Sequence, residues 1–108
     1  MSDDNSRYGR GYIYVEMTIT RPERFKDYTS LSAPAVQAAG GRYVVAGVRP
    51  EVLEGAFDAH RIVVVEFPTA AQAREFYHSA AYQAARQRRA GVAEFKMLLL
   101  EGAALDEC

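Results

Sequence analysis

Residues 12–19 alternate between apolar and polar or amphipathic side chains, and this period of two predicts a half-buried strand. One face would carry Ile13, Val15, Met17 and Ile19, and the other Tyr12, Tyr14, Glu16 and Thr18. Three further strands are predicted at residues 42–48, 61–67 and 94–101, and the apolar density of 61–67 is typical of a central strand. We expect residues 52–55 to prolong the second strand after a bulge.

The first helix is predicted to begin at Pro22, since Thr20 and Glu23 have the spacing of a capping box and proline is tolerated in a first helical turn. Pro34 predicts a break or kink near residues 32–33, and Gly40 a left-handed helix end. The spacing of the apolar residues predicts one inward stripe, made of Phe25, Tyr28 and Leu31.

The second helix is predicted to begin at Ala70, because Thr69 and Gln72 repeat the capping pattern. Ser79 is expected to cap it again midway, and Gly91 to end it. Its inward stripe is predicted to contain Ala73, Phe76, Tyr77, Ala80 and Ala84.

The element order is therefore β-α-β-β-α-β, which predicts an α+β, ferredoxin-like domain with an antiparallel four-stranded sheet. We expect a flexible leader at residues 1–10, one domain at 11–102 and a C-terminal tail at 103–108. Two helices can cover only one face of such a sheet. The other face would expose a large apolar and aromatic surface, which predicts a homodimer that pairs these faces rather than a monomer with a bare sheet. That face would carry Tyr12, Tyr14, Thr18, Ile62, Val64, Leu98 and Leu100.

Composition argues against several classes of partner. A net charge of −1 gives no general attraction to nucleic acid, and the apolar runs are too short to cross a bilayer. The single cysteine, Cys108, cannot form an internal disulfide, which fits a cytoplasmic protein, and residues 1–10 lack the apolar region of a signal peptide. Without a metal-ligand cluster or a glycine-rich nucleotide loop, we expect neither a metal nor a cofactor.

A set of short stretches resembles the domain-of-unknown-function family 1330 (DUF1330). The stretches are Gly11-Tyr12, Gly40-Gly41-Arg42, residues 52–55, residues 61–68, Phe76-Tyr77, Ser79, Tyr82-Gln83, Arg89 and Glu101-Gly102. The resemblance implies a dimeric α+β barrel, a superfamily that includes cofactor-free monooxygenases, isomerases, cyclases, haem-degrading enzymes and ligand binders. Ile13 stands where the family often has Trp, and residues 46–48 where it usually has an Arg-Gly-Gly-like stretch, so we expect a different ligand.

Two titratable side chains are candidate bases. Glu66 lies in an apolar strand, where burial would raise the pKa of its carboxyl and suit a general base; the alternative is an ion pair with an arginine such as Arg42. His78 lies beside the inward stripe, and histidine often transfers protons near neutral pH; the alternative is a solvent-edge residue. His60 is expected to be exposed.

Four further side chains are candidate substrate ligands. Tyr28 and Tyr82, on different helices, could bring hydroxyls to a pocket between helices and sheet, or pack as core rings with their hydroxyls at the edge. Arg61 and Arg89 could bind a carboxylate with two hydrogen bonds. The alternatives are a strand-edge ion pair for Arg61 and a helix C-terminal charge for Arg89.

The leading hypothesis from the sequence is a small cofactor-independent enzyme that transfers protons on a small polar or aromatic metabolite. Such a reaction would be an isomerisation, cyclisation, dehydration or oxygenation. A non-catalytic ligand-binding homodimer is the main alternative, and a subunit that pairs with another protein through a sheet edge is a third.

Overall fold

The computed structural model describes residues 9–103, which form an α+β domain with the predicted order of elements. The strands are β1 (Gly11–Ile19), β2 (Arg42–Val48), β3 (Arg61–Phe67) and β4 (Ala93–Glu101). The helices are α1 (Phe25–Ala38), preceded by a 3₁₀ turn at Pro22–Arg24, α2 (Ala70–His78) and α3 (Ala80–Gln87). The strands pair antiparallel in the order β2-β3-β1-β4, so the ferredoxin-like prediction is confirmed. Most of the expected leader and tail, with Cys108, lies outside the described residues.

The strand register gives the sheet two unlike faces, as the period of two predicts. Tyr14 on β1 lies opposite Val64 on β3 and Leu98 on β4, and all three point away from the helices. We call this side the open face; it also carries Tyr12, Glu16, Thr18, Ile62, Glu66 and Leu100. The helix face carries the buried core residues of the sheet, Ile13, Val15, Met17, Val63, Val65 and Phe67.

A close approach at Gly41 fixes the turn between α1 and β2. Gly40 has φ +82°, the left-handed conformation that ends a helix, as predicted. A side chain at Gly41 would meet the ring of Phe67 at 2.7 Å, so only glycine lets the chain pass this buried ring. Phe67 has 0% of its surface exposed and packs on Phe76 of α2, with ring centroids 5.1 Å apart.

Three local predictions in the first half of the chain are wrong. The Thr20 hydroxyl donates to the carbonyl of Val92 at 3.0 Å instead of capping a helix, because the end of β1 is held by the turn before β4. Helix α1 continues through Pro34, which is exposed, so the carbonyl that loses its helical partner faces water. Residues 52–55 form an exposed loop; the bulges lie inside β2, where Gly47 has φ +75°.

The inward stripes change register where the sequence pattern predicts continuity. Ser79 caps α3 by accepting a hydrogen bond from the Tyr82 amide at 3.1 Å, as predicted, but its extended backbone separates α2 from α3. The stripe therefore resumes at Tyr82 and Ala85, whereas Ala80 and Ala84 are exposed. In the same way α1 buries Ser32 and exposes Leu31. No helix in residues 9–103 is long and apolar enough to cross a membrane.

Candidate functional site

A cavity of about 430 Å³ lies between the helices and the helix face of the sheet. We call it the helix-side cavity. Apolar side chains from β1, β3 and α1 form most of its wall, and hydroxyl groups with one guanidinium supply the polar contribution. The polar residues that line it are Tyr28, Thr29, Ser32, Tyr43, Arg61 and Tyr82.

The hydroxyls of Tyr28 and Tyr82 lie 2.9 Å apart in the wall of this cavity, and we call these residues the tyrosine pair. Tyr28 comes from the first turn of α1, and Tyr82 from the first turn of α3, which the Ser79 cap holds in place. Both rings are buried, with 6% and 1% of their surface exposed. Their hydroxyls meet at the cavity wall, while their rings are part of the buried core.

Arg89 lies behind the tyrosine pair and supports it. Its guanidinium donates a hydrogen bond to the Tyr82 hydroxyl at 2.6 Å and lies 4.2 Å from the ring centroid of Phe95. Arg89 is not among the residues that line the helix-side cavity, so it contacts a ligand there only through Tyr82. Its contact gives the tyrosine pair a positive charge at one end.

Burial keeps the hydroxyl of Tyr28 protonated. Burial raises its pKa most and the neighbouring Tyr82 raises it further, while Arg89 and Ser32 lower it by less, so the pKa lies far above its ordinary value of 10.0. A neutral phenol donates a hydrogen bond at any physiological pH. The two hydroxyls share one hydrogen bond, which leaves the tyrosine pair one O–H to donate. In this mostly apolar cavity that O–H is suited to an oxygen atom of a ligand, which would replace the 3.4 Å contact of the Tyr82 hydroxyl with the sulfur of Met97.

Two hydroxyl residues of the cavity, Ser32 and Tyr43, are missing from the sequence predictions. Ser32 is 4% exposed and hydrogen-bonds with both Tyr28 and Tyr43. Burial raises the pKa of Tyr43 and so does Tyr82, although the Ser32 hydrogen bond lowers it. Helical spacing from Tyr28 to Ser32 and strand pairing of Tyr43 with Val65 are the signals that could have found them.

Arg61 lines the cavity from the start of β3, on the helix face opposite Met17. Its guanidinium donates to the carbonyl of Gly47 in the neighbouring strand at 3.1 Å. No carboxylate among residues 9–103 forms an ion pair with it, so the strand-edge ion pair is not found in the described part of the chain. Arg61 is exposed and bonded to β2 through that one contact.

Glu66 lies on the open face, on the other side of the sheet from the helix-side cavity. Its carboxylate accepts hydrogen bonds from the Tyr12 hydroxyl at 2.7 Å and from Nε of Arg42 at 2.9 Å, and Arg10 lies 3.6 Å away. Burial raises the pKa of this carboxyl, but the Tyr12 hydrogen bond and the two arginines outweigh burial and hold the pKa below its ordinary value of 4.5. The prediction of a raised pKa is wrong, and the alternative of an ion pair with Arg42 is confirmed.

His78 is also apart from the tyrosine pair. It is exposed at the end of α2, with its ring perpendicular to that of Tyr77 at 5.2 Å between centroids. It lines a separate cleft between α2, α3 and β4. His60 is exposed, as predicted, and no group of three or more His, Cys, Asp or Glu side chains in residues 9–103 could hold a metal ion.

Solved structures share this fold at low sequence identity. A protein of unknown function from Rhodopseudomonas palustris is 21% identical, with a TM-score of 0.66, covering 89% of this chain and 84% of its own. SnoaB, a cofactor-independent oxygenase from Streptomyces nogalater, is 12% identical, with a TM-score of 0.65, covering 92% of this chain and 99% of its own. A dimeric protein of unknown function with a ferredoxin-like fold from Bacteroides fragilis is 11% identical, with a TM-score of 0.53, covering 86% and 96%.

Sequence comparison identifies the family but not an activity. No curated protein matches this chain. The match to a family of unknown function covers residues 10–103, nearly all of the described part. The chain belongs to the DUF1330 family.

Proposed function

We propose that this chain is a small cofactor-independent enzyme that transfers a proton on a small polar or aromatic metabolite in the helix-side cavity. Isomerisation, cyclisation, dehydration and monooxygenase-like oxygenation can each begin with this proton transfer. The observation that carries the proposal is the tyrosine pair, with hydroxyls 2.9 Å apart in the cavity wall and the Arg89 guanidinium 2.6 Å behind Tyr82. One structural neighbour, SnoaB, is a cofactor-independent oxygenase, which supports the class of reaction.

The tyrosine pair would act on an oxygen of the substrate. When a carbon acid loses a proton, negative charge develops on the adjacent carbonyl oxygen, and donors already in place stabilise it. In an apolar cavity such donors are worth more than in water, because the local dielectric constant is low. Arg89 would strengthen Tyr82 as a donor, since its own hydrogen bond polarises that hydroxyl.

The residues that line the helix-side cavity limit which group can accept the proton. Neither a carboxylate nor an imidazole is among the residues that line it, so Glu66 and His78 are not proposed as its base. A substrate that is itself acidic, such as a phenol or a 1,3-dicarbonyl compound, needs only stabilisation of its anion by the tyrosine pair. The proton then passes to a water molecule, so no further co-reactant is required for this step.

The test begins with the compound that co-purifies with the protein, identified by mass spectrometry after denaturation. Tyr28→Phe and Tyr82→Phe are then expected to lower turnover of that compound by at least about 100-fold in kcat. Tyr77→Phe, Glu66→Gln and His78→Ala serve as controls and should stay within a few-fold of the parent protein. Loss of activity in His78→Ala with normal activity in Tyr28→Phe would contradict the assignment.

The second candidate is a non-catalytic small-molecule-binding homodimer, and the absence of a carboxylate or an imidazole from the cavity lining favours it. In that case the tyrosine pair would only anchor an oxygen of the ligand. Incubation of the purified protein with the identified compound in aerated buffer separates the two candidates. Recovery of unchanged compound over many hours favours binding, and a product formed only with protein favours catalysis.

We also propose that two copies pair through the open face. Several large apolar side chains there are exposed in the single chain; Leu98 and Leu100 are 55% and 47% exposed. The Bacteroides fragilis neighbour is described as dimeric. Sedimentation at micromolar concentration should give twice the mass of a 12.0 kDa chain, and a 12.0 kDa species would exclude the dimer.

A further inference from the structure

The cleft between α2, α3 and β4, which we call the second cleft, has a volume of about 470 Å³. One side is cationic and the other is apolar. The cationic side is lined by Arg74, Arg86 and Arg89, with the ring of His78 beside them, and the apolar side by Phe95, Met97 and Leu99. No carboxylate is among the residues that line it.

The arginines of the second cleft lack anionic partners within the chain. Among residues 9–103, no Asp or Glu oxygen lies within ion-pair distance of Arg74, Arg86 or Arg89. Arg89 is half-buried, and within residues 9–103 its guanidinium donates only to the Tyr82 hydroxyl and, at 3.8 Å, to the sulfur of Met97. Gathering like charges around one cleft is unfavourable, and an anion from outside would remove that cost.

We infer that the second cleft binds an amphipathic organic carboxylate. The carboxylate would lie among the arginines, whose planar guanidinium groups can donate paired hydrogen bonds to it. Its apolar chain or ring would lie against Phe95 and Leu99 of β4. This site is distinct from the helix-side cavity and does not depend on the reaction proposed there.

Arg89 connects the two sites. Its guanidinium lines the second cleft and also donates to the Tyr82 hydroxyl, which lies in the wall of the helix-side cavity. A carboxylate in the second cleft competes for the charge of Arg89 and weakens that hydrogen bond. Occupation of the second cleft therefore changes the donor strength of the tyrosine pair.

The experiment is a titration of the full chain, labelled with ¹⁵N and with ¹³Cζ in tyrosine, with octanoate as the probe. 1-Octanol tests whether the charge is needed, and acetate whether the apolar chain is needed. We expect saturable octanoate binding with amide shifts concentrated in α2, α3 and β4. We also expect a larger ¹³Cζ shift for Tyr82 than for Tyr12 or Tyr14 of the open face.

Neighbouring arginines supply a matched pair of variants. Arg86 lines the second cleft, whereas Arg88 does not, and both are exposed, so neither substitution should affect folding, which circular dichroism checks. Arg86→Gln is expected to weaken octanoate binding about tenfold, the effect of losing one charge-assisted hydrogen bond, and Arg88→Gln to leave it unchanged. Equal effects of the two variants, equal binding of octanol, or shifts confined to the open face would overturn the site.

Discussion

The two faces of the sheet hold different kinds of polar group. On the helix face, the hydroxyls of Tyr28 and Ser32 are buried around a cavity, and burial raises the pKa of Tyr28 so that it stays neutral. On the open face, Glu66 is equally buried, at 3% exposed, yet its pKa is lowered. Burial alone therefore does not set the charge of a group in this domain.

The polar groups around each side chain make the difference. Glu66 accepts a hydrogen bond from the Tyr12 hydroxyl at 2.7 Å and has Arg42 at 2.9 Å and Arg10 at 3.6 Å, all of which favour its ionised form. Tyr28 has a second phenol as its nearest polar partner, and the lowering by Arg89 is smaller than the effect of burial. The helix face thus offers neutral donors in an apolar space, suited to a ligand oxygen, while the open face offers an apolar surface with an ion-paired edge, suited to another sheet.

Phe67→Ala should give the largest effect, because it removes a fully buried ring from the helix face. We expect a loss of about 3–5 kcal/mol in the free energy of unfolding at every protein concentration. Leu53→Ala, in a loop where the side chain is 86% exposed, is the control and should change it by less than about 0.5 kcal/mol. Urea denaturation followed by circular dichroism measures both, and similar losses would contradict the described core.

Val64→Lys tests the open face. The side chain lies in β3 between Tyr14 and Val45, so in a symmetric dimer two lysines would enter one interface. Because both copies carry the substitution, its cost enters the interface twice, and we expect the dimer dissociation constant to rise at least about 100-fold. Leu53→Lys adds the same charge in the exposed loop and should leave association unchanged. Sedimentation over a concentration series decides, and unchanged association in Val64→Lys would exclude the open face as the interface.

Local patterns predicted most of the architecture. The period of two in β1 assigned Tyr12 and Ile13 to opposite faces, and capping patterns located the starts of α2 and α3, because both signals depend on residues close in sequence. Thr20 failed as a cap because its partner, Val92, is 72 positions away. A competing contact at that separation leaves no trace in the local pattern.

The site was less predictable than the fold for the same reason. The pKa of Glu66 depends on Tyr12 and Arg42, which lie 54 and 24 positions away along the chain. Apolar neighbours in sequence predicted desolvation, but not the cations that the sheet register brings beside the carboxylate. Ser32 was missed because part of its importance comes from Tyr43, a residue of another element that meets it only in the folded chain.

Glu66→Gln sharpens the electrostatic contrast between the faces. Because the folded pKa of Glu66 is lowered, its ionisation stabilises the fold above the unfolded pKa near 4.5, and this contribution is lost as the pH falls through the lower folded pKa. We expect the variant to lose about 1–2 kcal/mol at pH 7, since Arg42 is largely exposed and water screens the pair. Its stability should also fall less steeply than that of the parent below pH 4.5.

Glu54→Gln, in the exposed loop, is the control. Urea denaturation between pH 3 and 7 measures the stability of both variants. The same pH dependence in Glu66→Gln and Glu54→Gln would contradict the ion pair.

Tyr28→Phe should give the smallest change in the free energy of unfolding, and it removes a single hydroxyl from the helix face. The ring stays in place and only the hydroxyl is lost, with its contacts to Tyr82 and Ser32. Tyr82 still accepts from Arg89, so we expect a loss of about 1 kcal/mol at pH 7. About one pH unit above pH 10 the order reverses. Because the pKa of Tyr28 is raised only in the folded state, its hydroxyl ionises above pH 10 in the unfolded chain but not in the folded chain. The parent therefore loses stability as the pH rises, by up to about 1.4 kcal/mol per pH unit. Tyr28→Phe has no hydroxyl at this position and lacks this part of the loss.

Tyr77→Phe, whose hydroxyl makes no hydrogen bond within residues 9–103, is the matched control and should keep the stability of the parent at pH 7. Parallel stability curves for the parent and Tyr28→Phe above pH 10 would show that the Tyr28 hydroxyl is not held neutral, and the helix face would then lose its contrast with the open face.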